Sequence, residues 1–266
     1  MEKNGKGTVS PMLAEQRRQK IIELIRENGS ARVSYLSETF GVTEPTIRQD
    51  LMKLESDGEI IRDHGGAFLK DFSKGVRELS LHHLDNMDKK IPIGRKAAEF
   101  VENGDSIILD SGSTITEAAK HLVSRKNLKV ITNSLNITLL LGEEPTHEIH
   151  MTGGEFKAPT LSLTGEKAAQ FISDTYVDKL FLATAGVAFK AGLMYPGFND
   201  IPVKRAMIEA AETVFLLADS SKIGKTSFAV LGGLECIDYL ITDSGISEED
   251  YQHFKELGIE VVVATM

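Results

Sequence analysis

The chain has 266 residues, 41% apolar and 26% charged, which suffices for the buried cores of a small domain and a medium one. Its single cysteine, Cys236, excludes an internal disulfide, and no apolar run approaches the roughly 18 residues that span a bilayer. The net charge of −9 weighs against a nucleic-acid binder with a basic surface throughout, yet the acidic excess lies almost wholly beyond Arg77.

Met1 to Ser10 is polar and lacks an apolar export core, which with the lone cysteine points to the cytoplasm. From Leu13 to Asn28 the spacing of Leu13, Ile21, Ile22, Leu24 and Ile25 predicts an amphipathic helix ended by Asn28-Gly29. Val33 to Phe40 predicts a second, with Ser34 as a cap and Val33, Leu36 and Phe40 facing inward. Gly41-Val42 makes a turn. Thr43 then caps a third helix running to about Ser56, with Pro45 in its first turn and Ile47, Leu51 and Leu54 buried. Ile60-Ile61 and Ala67-Phe68 read as short strands around Gly65-Gly66. Residues 12–70 thus form a helix-turn-helix with a wing.

Residues 71–90 lack a clear period, carry much charge and include His82-His83; they read as a linker, partly helical, and not as a metal site. Residues 91–266 alternate strands and helices. The strands are Ser106–Leu109, Leu128–Thr132, Ile149–Thr152, Lys179–Ala183, Thr213–Ala218, Tyr239–Thr242 and Glu260–Val263. The helices between them include Thr114–Ser124, Leu135–Leu141, Lys167–Ile172, Pro202–Ala211 and Glu248–Leu257. This alternation predicts an α/β domain with a mainly parallel sheet.

In a helix-turn-helix the second helix enters the major groove and its first turns reach base edges. That face here offers Thr43, Pro45, Thr46, Arg48 and Gln49, of which Arg suits guanine and Gln suits adenine. Lys53 is placed for phosphate, and Arg62 and His64 on the wing for backbone or minor groove. A three-helix interaction module with solvated polar faces is the alternative. The same stretch resembles the DNA-binding domain of the DeoR family of bacterial transcriptional regulators. The matching pieces are Gln16-Arg17-Arg18, Phe40-Gly41-Val42-Thr43, Thr46-Ile47-Arg48, Asp50-Leu51, Leu54-Glu55, Gly58, and Arg62 with His64-Gly65-Gly66-Ala67. The resemblance adds Arg18 to the expected DNA contacts. Gln49, where the family usually has a second Arg, and Thr43-Glu44-Pro45, in place of a Ser-led run, depart from the pattern on the reading face and so bear on the operator.

Strand Ser106–Leu109 ends in Asp110-Ser111-Gly112-Ser113-Thr114 and runs into a helix, the chemistry of an anion cradle without the Gly-Lys-Ser/Thr ending of a nucleotide P-loop. Other polar turns follow strand ends, where open α/β sheets bind ligands: Asn133-Ser134, Gly153-Gly154, and Asp219-Ser220-Ser221-Lys222. Lys222 supplies positive charge for a phosphate, and Asp110, Asn133, Asp178 and Asp219 suit sugar hydroxyls; Lys204 opens a nearby helix. These pieces resemble the DeoR-family sensor domain, itself similar in fold to ribose-5-phosphate isomerase. The resemblance implies a phosphorylated sugar as effector, held by these residues, with no cofactor or metal. Residues 192–200 are less typical of the family and are expected to help select the sugar.

No further acid follows Asp178 in Lys179–Gly186, so the base and enediolate stabiliser of an isomerase are not evident, and no catalytic residue is assigned. The sequence thus favours a sugar-phosphate-controlled repressor of a carbohydrate-use operon, binding duplex operator DNA as a homo-oligomer, dimer or tetramer, away from any membrane. An isomerase-like enzyme and a sugar-phosphate-binding interaction protein without a DNA role are the alternatives.

Overall fold

Residues 13–28, 30–63, 65–69, 85–157 and 160–265 are described by the computed structural model of the chain, and they divide into two units between Asp85 and Asn86.

The first unit holds α1 (Ala14–Asn28), β1 (Ser30–Arg32), α2 (Val33–Phe40), α3 (Glu44–Ser56), β2 (Ile60–Asp63) and β3 (Gly66–Leu69). Ile21, Ile25, Leu36, Ile47, Leu51 and Ile60 are buried as its core, at the apolar spacings seen in the sequence. Leu13 lies outside α1 and is exposed, and Ser34 lies inside α2, whose N-cap is Arg32. Gly41 ends α2 in the left-handed conformation, φ 61°, which only glycine adopts without cost, and so sets the turn into α3. Thr43 stands at the N-cap of α3 but makes no capping hydrogen bond; its hydroxyl faces that of Thr46 at 3.0 Å. The wing strands pair antiparallel, and β1, too short for any period to reveal, adds to β3 on the other side.

The second unit begins with α4 (Met87–Ala98), whose first turn lies in the stretch expected to be linker and whose remainder lies in the expected α/β domain. Pro92 and Gly94 interrupt its helical pattern in the sequence. In the structure Gly94 is where α4 meets the next helix: a Cβ there would lie 2.6 Å from the Ala118 amide nitrogen. There follow β4 (Ser106–Leu109), α5 (Ser113–Leu122), β5 (Lys129–Thr132), α6 (Leu135–Leu141) and β6 (Glu148–Met151). A hairpin of β7 (Glu155–Lys157) and β8 (Ser162–Thr164) leads to α7 (Glu166–Ser173) and β9 (Val177–Ala183). The chain continues through β10 (Gly186–Ala188), β11 (Gly192–Tyr195), α8 (Ile201–Glu209), β12 (Ala211–Leu217) and β13 (Ala229–Gly232). It ends with β14 (Tyr239–Asp243), α9 (Glu248–Glu256) and β15 (Glu260–Ala264).

Seven strands form one parallel sheet in the order β15-β14-β12-β9-β4-β5-β6, while β10, β11 and β13 make a separate antiparallel sheet. The parallel sheet is buried on both faces: Ile108 of β4 packs in one apolar cluster, and Ile107 and Leu109 pack in the other. The chain starts this sheet at β4, builds outward through β5 and β6, then returns to β9 and builds the other way. The junction of β4 and β9 is therefore a topological switch point, where the loops after adjacent strands part and leave a crevice at their carboxyl ends.

Candidate functional site

On the reading head, Pro45, Arg48, Gln49 and Met52 are exposed along α3 at helical spacing, with Met52 55% exposed. Thr43 is exposed beside them, and Thr46 is half-buried. The opposite face holds the helix in place. Asp50, buried, accepts from Arg17 Nε at 2.6 Å and from Arg18 Nη1 at 3.4 Å, bracing α3 against α1. Arg18 also pairs with Glu15. It therefore serves as a brace between the two helices while its side chain stays partly exposed. The other expected contacts carry acidic partners on the head: Arg48 with Glu44 at 2.7 Å, Lys53 with Asp57 at 2.7 Å, and Arg62 with Glu55 at 2.7 Å. The hydrogen bond from the Arg62 side chain, helped by its backbone amide, holds the Glu55 carboxyl below the usual carboxylate range. His64 lies outside the described residues.

In the second unit the expected residues gather at the carboxyl edge of the parallel sheet. After β4, Gly112 takes φ 124° and opens α5, with Ala183 3.5 Å from where a Cβ would stand. The hydroxyls of Ser113 and Thr114 have no partner among the described residues. Asp110 is fully buried across the switch point: Oδ2 accepts from the Ala183 amide at 3.1 Å, and Oδ1 accepts from the Ser111 amide at 2.6 Å and from the Lys204 ammonium. Its oxygens are committed and sealed from solvent. Asp110 thus fixes the loop and Lys204, a correction to the expectation that it faces a ligand hydroxyl. Lys204 is buried with it, 5.8 Å from the Tyr195 ring centroid.

Asn133 gives Nδ2 to the Leu163 carbonyl at 3.0 Å, while its Oδ1 is buried without a partner among the described residues, as is Oγ1 of Thr152 at the end of the next strand. Ser134 Oγ accepts from the Ile137 amide and caps α6, so its side chain is structural. Gly154, φ 126°, has the Thr164 carbonyl 2.5 Å from a notional Cβ; the glycine admits the β7–β8 hairpin. After β12, Asp219 is buried with Oδ1 capping Ser221 and Oδ2 unpartnered, and Lys222 is half-buried with no partner for its ammonium among the described residues.

Asp178 does not join this group. It is the second residue of β9, at the opposite edge, where Oδ2 accepts from the Ser106 amide at 2.7 Å and the Ser106 hydroxyl at 2.6 Å. Parallel strands send residues before a strand to one edge and residues after it to the other, so Asp178 is corrected to a structural carboxylate. Those bonds, the hydroxyl first, hold it below the usual carboxylate range.

Comparison with known proteins agrees with this geometry. A model of the DeoR-like helix-turn-helix domain matches residues 17–71, and one of the DeoR C-terminal sensor domain matches residues 85–244. The HTH-type transcriptional regulator YulB of Bacillus subtilis is 34% identical over 96% of this chain and 98% of its own. The chain belongs to the DeoR family. GlcR of Bacillus subtilis, an HTH-type transcriptional repressor, is 32% identical over 95% of this chain and 97% of its own. The glycerol-3-phosphate regulon repressor of Escherichia coli is 32% identical over 88% of this chain and 92% of its own. Among solved structures, ribose 5-phosphate isomerase A from Methanocaldococcus jannaschii gives a TM-score of 0.37 at 18% identity, covering 50% of this chain and 53% of its own, too distant to bear on ligand or activity. This DeoR-family chain is a DNA-binding transcriptional regulator and not an isomerase.

Sequence reasoning missed three features of this DeoR-family regulator. The Thr152 hydroxyl, at the end of a strand, is one. Asn86 and Lys89, within the expected linker, are another: Asn86 Nδ2 donates to Ser221 Oγ at 3.0 Å and Lys89 to Ser220 Oγ at 2.8 Å, so the start of α4 is tied to the loop after β12. The exposed Met52 on the reading helix is the third. A count of exposed positions at helical spacing would have found Met52; nothing local signalled the other contacts.

Proposed function

We propose that this regulator represses a carbohydrate-use operon, that a phosphorylated sugar binds at the carboxyl edge of its parallel sheet, and that the effector releases the operator. One observation carries the sensing site. The Gly112 turn and the N-terminus of α5, the buried oxygens of Asn133, Thr152 and Asp219 and the ammonium of Lys222, these four without partners among the described residues, all belong to one edge, beside the switch point. Buried polar atoms without partners are costly, and a polyhydroxylated ligand satisfies them. Helix N-termini and lysine favour its phosphate. The Escherichia coli relative, a glycerol-3-phosphate regulon repressor, supports both repression and a phosphorylated metabolite.

The regulator acts as a cytoplasmic homo-oligomer, because one winged head reads a half-site and paired heads multiply affinity. No helix among the described residues is long and apolar enough to cross a membrane. Reciprocity requires that operator DNA weaken effector binding by the factor with which effector weakens operator binding. Thermal-shift screening of the full chain against aldose and ketose phosphates tests the effector, since binding to the folded state raises its stability by mass action. A concentration-dependent rise with one phosphorylated sugar, absent with the dephosphorylated sugar, is expected. Equal response to both removes the phosphate from the proposal, and a ligand that tightens operator binding reverses its sign.

A further inference from the structure

Glu44 is the first residue of α3 and accepts from Arg48 Nη2 at 2.7 Å one turn further on, with the two side chains 43% and 58% exposed. Only one atom of each side chain is used. Among the described residues Glu44 Oε1 has no donor, and Arg48 Nε and Nη1 have no acceptor. The pair therefore presents an acceptor and a set of donors side by side, on the turn of the helix that approaches base edges in the major groove.

We propose that Glu44 is a base-reading residue of this regulator and that its base is cytosine, read jointly with a neighbouring guanine taken by Arg48. This inference rests on the assignment of α3 as the reading helix. Guanine offers N7 and O6 as acceptors, which match the remaining Arg48 donors; thymine offers O4, and both bases repel a carboxylate. Cytosine offers the N4 amino group alone. Adenine offers N6 but sets its N7 acceptor beside it, so cytosine is the better partner. The ion pair holds the carboxylate toward Arg48 before DNA arrives, which reduces the side-chain ordering that recognition requires. A carboxylate on this face also repels phosphate on every sequence, so Glu44 lowers affinity for unrelated DNA and widens the gap to the operator.

Selection of bound duplexes from a randomised pool, read by sequencing, tests this with the full-length wild type, Glu44→Gln, Glu44→Ala and Glu15→Gln. Wild type should enrich a guanine next to a cytosine. Both Glu44 variants should flatten the cytosine preference by roughly 5- to 150-fold, keep the guanine, and bind a random-sequence duplex more tightly. Glu15→Gln, which removes a carboxylate paired with Arg18 outside the reading helix, should leave every base preference unchanged. Base preferences identical between wild type and Glu44→Gln overturn the inference, as does an equal shift in Glu15→Gln, which would mark a general charge effect. A wild type that enriches no sequence would instead refute the reading helix itself. Thermal melting of each variant shows that all are folded, since Glu44 and Glu15 are on the surface.

Discussion

Lys204 places its ammonium on the Asp110 carboxylate 94 residues earlier in the chain, and both side chains are buried. This pair joins the loop after β4 to the first turn of α8 across the switch point, beside the candidate sensing site. Removing one partner leaves the other charge uncompensated in a dry environment, which costs ~3–5 kcal/mol, whereas replacing both is far less damaging. Lys204→Met should therefore destabilise the protein by about that amount, and Asp110→Asn combined with it should restore most of the loss. Urea denaturation of the single and double variants measures the coupling; simple additivity would mean that the pair is not a unit.

Lys222 differs from Lys204 in having no partner for its ammonium among the described residues and in being half-exposed. Lys222→Ala should leave stability within about 0.5 kcal/mol of wild type, because exposed side chains away from special features contribute little. It should keep DNA binding and lose the thermal response to a sugar phosphate. An unchanged response removes Lys222 from the site.

Arg48→Ala should weaken binding to the sequence enriched from a random duplex pool by about 1–3 kcal/mol and relax selection for guanine. Its exposed pair with Glu44 contributes only ~0.3–0.5 kcal/mol to stability, so melting temperature should barely change. Gel-shift titration measures the first effect and thermal melting the second. A large fall in melting temperature would show Arg48 to be structural.

Asp178 titrates below the usual carboxylate range because the Ser106 hydroxyl and amide bind its ionised form. The sign follows from that depression. Its contribution is present above the unfolded carboxyl pKa, about 3.9, and is lost as pH falls through the folded value. Asp178→Asn keeps an acceptor and removes the charge. At pH 7 it should cost no more than about 1 kcal/mol, since the group is exposed and water screens it. The difference from wild type should close as pH drops below about 4. Effector response should be unaffected, because Asp178 lies at the wrong edge. A lost response would return Asp178 to the sensing site.

The fold was legible where the pattern is local. Apolar spacing marked α1 to α3, alternation marked each of the seven sheet strands within a few residues, and Gly41 marked the turn. What went unseen depends on pairing across distance. Strand β1 is three residues long and exists because β3 runs beside it. Helix α4 is broken in sequence by Pro92 and Gly94, and the glycine gains its reason only from α5 pressed against it.

The same division runs through the candidate sites. Residue type and order were enough to place polar turns after strand ends and a reading helix after a glycine turn, because both follow from covalent neighbours and backbone preference. They were not enough to assign roles. Asp110, Asp178 and Asp219 are alike as aspartates. One is buried on Lys204, one sits at the far edge on Ser106, and one keeps an oxygen without a partner among the described residues at the near edge. Solvent access and hydrogen-bond partners separate them, and these are properties of how distant strands pack, which chain order does not contain.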